Sequence, residues 1–202
     1  MALIGTFNQR IQFSGKVGGY RRVFEGQPKI LVGGFEWDLN DLPTYGNVLP
    51  AGTPVYVDEE ARTIKPLYGF KVYEDASDTT LKVEKIFAGT RAKVGMTIGT
   101  SKVTAIDSSN EGFDILTMDG AQTAKKDDIL YGTVDGKDIK DKVNGLTPYD
   151  ICLDPDAKAA DGDAAWNCLD KPVLVRRMPP VTDEVLANIN KNGCFFRWSY
   201  RH

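Results

Sequence analysis

Histidine occurs once in the 202 residues, as His202. A terminal side chain is held loosely, so a positioned general base is not expected there. Ser-His-Asp and Cys-His arrangements are thereby removed. There is no GxxxxGK[ST] loop, no GxSxG elbow, no HExxH pair and no GxGxxG after a strand. The 28 carboxylates include no pair whose spacing marks it as a glycosidase acid and nucleophile. The expectation is a protein with no catalytic residues, no cofactor and no enzymatic activity.

One acidic group bears on metal binding. Asp154, Asp156, Asp161 and Asp163 gather in LDPDAKAADGDAAW. Calcium takes about six to eight oxygens from a short loop. This spacing departs from the EF-hand loop and no Glu closes it, so a solvated loop is expected and no metal site is assigned; calcium remains the alternative. Cys152, Cys168 and Cys194 are odd in number, with neither a CxxC pair nor zinc spacing. They are expected to be core thiols in a reducing compartment. Trp37, Tyr45, Tyr56, Tyr68, Trp166 and Trp198 are scattered over different segments, which favours core or subunit-interface packing over a sugar-stacking surface.

The elements that would hold these residues read as β. Hydrophobic residues make up 42% and charged residues 26%, ordinary for a globular chain, while Gly and Pro fall between short β-type runs. The start, MALIGTFNQRIQF, lacks a basic n-region and a continuous apolar h-region, so no secretory leader is expected. No run approaches the roughly 18 apolar residues of a membrane span. Net charge is −3 but unevenly spread. Residues 1–30 carry +4 and 171–202 carry +4, which leaves 31–170 at −11. Basic ends on an acidic centre suit a protein that docks through one region and shows another to solvent. The arginines are few and lack an aromatic RNA-binding motif, so nucleic acid is not an expected partner.

Residues 1–36 read as an extended arm, with glycines interrupting any helix and short β-type pieces at Arg10–Phe13 and Ile30–Val32. Such an arm is expected to order by adding a strand to a partner's sheet edge; packing on its own domain is the alternative. Strands are predicted at Pro54–Val57 and Thr63–Leu67, about an acidic turn at Asp58–Arg62. Residues 68–134 read as a self-contained small barrel or sandwich, inserted in a loop of the core formed by 37–67 and 135–202. Its predicted strands are Gly69–Tyr73, Thr80–Ile86, a hairpin of Lys102–Ile106 with Phe113–Met118, and Ile129–Thr133. Gly136–Asn144 reads as a charged linker, followed by strands at Tyr149–Leu153 and Pro172–Met178. Thr182 is an expected N-cap, with Asp183 and Glu184 in the first turn. Val185, Leu186 and Ile189 share a face, Gly193 stops the helix, and Cys194–Tyr200 closes as a strand.

Two distant stretches carry a resemblance. Gly46–Val57 reads GNVLPAGTPVYV, and Lys171–Asn188 reads KPVLVRRMPPVTDEVLAN. A turn of the form Pro50-Ala51-Gly52-Thr53-Pro54, a long excursion, then a Val-rich strand and a short helix resembles the lambda-type head decoration proteins of tailed bacteriophages. Pro54–Pro66 and Gly145–Leu153 fall where that pattern has strands. The resemblance implies a non-enzymatic structural protein of the virion, made in the host cytoplasm and bound as a homotrimer to the outer surface of the major capsid protein lattice. With the arm reading, it makes Arg10, Lys16, Arg21 and Arg22 the expected capsid-binding residues. A related expectation is a head-fibre base or surface-display protein whose 68–134 unit binds a host or mucosal glycan.

Overall fold

The computed structural model describes residues 22–44, 46–86, 89–152 and 160–201, which form an all-β protein with a single short helix. In chain order the core begins with β1 (Lys29–Trp37), β2 (Val48–Leu49), β3 (Pro54–Asp58) and β4 (Thr63–Pro66). The second unit holds β5 (Tyr68–Lys71), β6 (Thr80–Glu84), β7 (Thr97–Ile98), β8 (Ser101–Asp107), β9 (Phe113–Met118) and β10 (Ile129–Thr133). The core resumes with β11 (Gly145–Leu146), β12 (Ile151–Cys152), β13 (Asp161–Leu174), α1 (Asp183–Lys191) and β14 (Phe195–Ser199).

Both units close on themselves. In the core the order β1-β4-β3-β11-β13 returns to β1 through a β1–β13 pairing, with β14 lying parallel to β13 as a flange. A five-stranded ring has little interior space. Phe35, Trp37, Val55, Val57 and Ile64 are buried on one side of its wall, and small residues on β11 and β13 face them. A Cβ on Gly162 would lie 2.5 Å from Ile64 Cγ2 and 3.1 Å from Trp37 Nε1. Leu146, Ala165, Cys168 and Val173 instead belong to a second apolar layer, which α1 covers with Val185, Leu186 and Ile189. The second unit has the order β5-β10-β7-β8-β9-β6, and a Val72–Val83 bridge joins its first and last strands. Leu81, Val83, Met96, Ile98, Val103, Leu116 and Met118 are buried in it.

Backbone pairing separates the units, but side chains fasten them. Tyr68 is fully buried and its hydroxyl donates to Asp41 O at 2.5 Å. Lys93 Nζ donates to the carbonyls of Asn40 and Leu42, both at 2.6 Å. Thr182 is the helix N-cap, yet its side chain does not cap. Its backbone N–H and its hydroxyl meet Tyr131 Oη instead, at 2.7 and 3.0 Å. The start of α1 is thus set by the second unit.

Three expected boundaries move. The described part of the expected arm, from Arg22 to Glu36, belongs to the core: Val23, Phe24 and Phe35 are buried, Phe24 bridges Val173, and β1 closes the ring. Its glycines allow close approach rather than freedom. A Cβ on Gly26 would stand 3.3 Å from Lys171 Cβ, and Gly33 and Gly34 fall within a register shift of β1 against β13. The Asp- and Ala-rich stretch becomes strand from Asp161 onward, because the narrow ring has room for Gly162 and Ala164 on its inner face and not for larger β-formers. The strand expected at Pro172–Met178 ends at Leu174 and turns into a short 3-10 segment, Val175–Arg177.

Candidate docking surfaces

The turn singled out in the sequence is buried and locked to a segment about 95 residues later. Gly52 has φ +78°, and a Cβ there would come within 2.9 Å of both Met178 and Val23. Thr53 and Thr147 are both fully buried. Thr53 N donates to Thr147 Oγ1 at 2.9 Å, and both threonine hydroxyls donate to Pro50 O at 2.7 Å. Backbone bonds Gly52 N to Thr147 O (2.8 Å) and Thr147 N to Thr53 O (2.9 Å) complete the zipper. Ala51 N donates to Asp150 Oδ1 at 2.7 Å. On either side β2 pairs with β12, and β3 with β11, where Pro54 sits opposite Leu146. Met178, beneath Gly52, links the turn to the closing strand. Pro50, Ala51, Gly52, Thr53 and Pro54 therefore form an internal fastener, not an outward-facing site.

The two basic ends of the sequence meet. Residues 23–25 run beside the end of β13, with Leu174 N donating to Val23 O at 2.9 Å and Glu25 N to Pro172 O at 3.2 Å. Arg177 Nη1 donates to Arg22 O at 3.2 Å. Arg22, Lys171, Arg177 and Arg197 are exposed around this end. Arg10, Lys16 and Arg21 lie outside the described residues, so of the four expected capsid-binding residues the structure places Arg22 alone. No family model, no curated protein and no solved structure matches this chain.

Two exposed apolar features were not singled out from sequence. Phe195 and Leu169 are 51% and 55% exposed beside the basic end, and Trp166 meets Phe195 edge-on at 6.4 Å. The alternation of CFFRWSY carried the signal: Phe196 and Trp198 point into the core layer, so Phe195 and Arg197 must point out. On the second unit, Tyr73 and Phe113 stack at 4.7 Å with Lys82 Nζ 5.5 Å from the Phe113 centroid. They come from the bend after β5 and the start of β9, far apart in sequence, which hides the pair.

The remaining titratable groups of note are buried structural ones. Burial pushes the Asp41 carboxyl up to about 6, against the opposing pull of Lys65. Burial also raises Tyr68 and lowers Lys93 nearby. Lys65 is raised by its bond to Asp135, at 2.6 Å. Cys194, buried and donating to Asn144 O at 2.8 Å, is pushed up to about 12 by burial. Among the described residues no acidic, Cys or His group has the arrangement of a metal site. Asp154 and Asp156 lie outside those residues, and Asp163 accepts a hydrogen bond from Tyr149.

Proposed function

We propose that this chain is a head decoration protein of the tailed-phage type, which binds the outer surface of the major capsid protein lattice as a homotrimer and stabilises the shell. The observation that carries the reading is the meeting of Gly46–Val57 with Gly145–Cys152 and with the β13–α1 closing unit. Gly46–Val57 is hydrogen-bonded to Gly145–Cys152, and Lys171–Asn188 packs on it through Met178 against Gly52. The second unit leaves this body through β5 and returns after β10, which suits an outward projection on a docked core. The chemistry required is binding, not catalysis. A ligand that binds the finished shell and not its loosened form shifts the equilibrium by about 2.7 kcal/mol at a hundredfold excess over Kd. Three docking points on one trimer add to this through effective concentration.

Cryo-imaging of expanded phage heads, with and without the purified chain, tests the proposal. Three copies at local three-fold positions, and heads that survive heating or dilution better, are the expected result. Heads without added density would refute it. A second reading has one observation in its favour. The exposed Tyr73–Phe113 stack offers an aromatic face of the kind sugars occupy, so the second unit binds a host or mucosal glycan. Tyr73→Ala would then abolish retention on immobilised mucin without affecting decoration.

A further inference from the structure

The core carries opposite charges at opposite ends of one strand. β13 starts at Asp161, opposite Glu36, and Glu36 in turn pairs with Thr63, so the β3–β4 turn stands at this end. That turn is built to present acid. Asp58 Oδ1 accepts from Glu60 N and Ala61 N at 3.1 and 2.9 Å, which folds the backbone tightly and leaves Glu59 and Glu60 exposed. The cation of the turn, Arg62, is drawn aside over the Phe35 ring, 5.3 Å from its centroid. Roughly 30 Å away, at about 3.3 Å per residue with the Cys168–Val173 bulge spanning two steps, β13 ends at Leu174 opposite Ser199. Lys171, Arg197, Arg22 and Arg177 are exposed toward this end, and the exposed Phe195, opposite Asn167, and Leu169 lie further back along β13. Glu25, Asp170 and Asp183, which accepts from the Tyr200 hydroxyl just past β14, are acidic residues at this end. β14 pairs with β13 on one side and with no described strand on the other.

We infer that the acidic β3–β4 turn of one copy seats against the basic β14 end of the next, a head-to-tail contact that closes a ring of copies. The inference rests on the homotrimer proposed above and assigns its interface. Two unlike, complementary patches on one body make a heterologous contact, which leaves no patch unused only when it closes into a cycle. The alternative, although the Asn190 side chain already takes both backbone groups of Phe196, at 3.0 Å each, is symmetric pairing of β14 with β14. That would bring Arg197 and Arg201 of two copies together, and like charges across strands repel. Phe195 and Leu169 supply the apolar centre, and the charges set orientation and exclude the symmetric dimer.

Charge reversal on the full chain tests this without any capsid. Light scattering at physiological salt should give a trimer for the wild type. Glu59→Lys with Glu60→Lys, or Lys171→Glu with Arg197→Glu, should each raise the dissociation constant tenfold or more. Combining all four should restore the trimer, because both patches have changed sign. Each single-patch variant should keep the wild-type circular dichroism spectrum and a cooperative thermal transition, which answers the concern that a reversed chain fails to fold. A monomeric wild type, trimers indifferent to either reversal, or a folded four-fold variant that stays monomeric would each overturn the contact. Assembly that appears only after residues 1–21 are deleted would overturn it too, by showing that this segment covers the basic end. The proposed function fails separately: a trimer built as described that leaves phage heads bare refutes decoration and not this interface.

Discussion

Replacing Thr147 with valine should cost about 2 kcal/mol, and the cost should come from the hydroxyl alone. Thr147 is fully buried, and valine keeps its shape and β-branching. The backbone bonds to Thr53 O and from Gly52 N survive, whereas two side-chain bonds vanish, from Thr53 N at 2.9 Å and to Pro50 O at 2.7 Å. Neither partner is orphaned. Pro50 O keeps the Thr53 hydroxyl at 2.7 Å, and Thr53 N keeps a longer bond to Pro50 O at 3.2 Å. Each loss therefore costs about 1 kcal/mol, not the larger penalty of a bare buried group. For a chain of this size the shift in Tm is about 4–8 °C. Denaturant unfolding and calorimetry of the wild type, Thr147→Val, Thr53→Val and the double variant would measure it. Thr53→Val removes one bond and should cost about 1 kcal/mol. The double variant should exceed the sum, since Pro50 O then loses both hydroxyls. Thr147→Ser, which retains the hydroxyl, should keep most of the stability. A Thr147→Val protein within 0.5 kcal/mol of wild type, or one no less stable than Thr147→Ser, would refute the zipper as an energetic element.

Three further outcomes are expected. The Asp41 carboxyl has a folded-state pKa of about 6, above its unfolded value, so it weakens the fold as pH rises through 6 and is neutral to stability at low pH. Asp41→Asn should therefore stabilise by about 2 kcal/mol at pH 8 and by little at pH 4; equal effects at both values would exclude this origin. A thiol reagent should modify Cys152 first, and reach the buried Cys168 and Cys194 only at the rate of unfolding; fast reaction of all three in the native protein would contradict their burial. Gly69→Ala should destabilise by about 3 kcal/mol, because its Cβ would fall 1.9 Å from Pro180 O where the second unit meets the approach to α1; an unchanged Tm would mean that the two units do not press together there.

The fold class and most of the second unit were legible because their signals are local. Period-2 alternation at Leu81 and Val83, and turn residues at Asp107–Gly112, act within a hairpin, and β6, β8 and β9 lie where alternation places them. The helix followed from Thr182, the apolar face and Gly193, whose φ is +99°. What escaped depends on partners far along the chain. β13 has the composition of a loop, Gly, Asp and Ala, because its job is to leave room for Trp37 and Ile64. The charged run Gly136–Asn144 looked like a linker, yet Ile139 and Val143 are buried. Asn144 pairs with both backbone groups of Val57, at 2.7 and 2.9 Å, lengthening β11 with a side chain. The fastener at Pro50–Pro54 was visible as a motif, but its role was not, since Thr147 shares no local pattern with it.

The nested connectivity dictates an order of synthesis. The second unit holds every pairing partner it needs between Tyr68 and Thr133, whereas β1, β3 and β4 cannot close their ring until β11 and β13 have been translated. At roughly 5–20 residues per second the ribosome needs on the order of 5–20 s to go from β4 to the end of β13. Over that interval the earlier strands have open edges and an uncovered apolar face, a state in which chains are recruited by holdase chaperones or by one another. The second unit would fold first and the core last, so protease resistance on stalled nascent chains should appear for 68–134 before it appears for Val48–Pro66. If the core segment resists digestion first, the ring forms by some route other than the one its topology imposes.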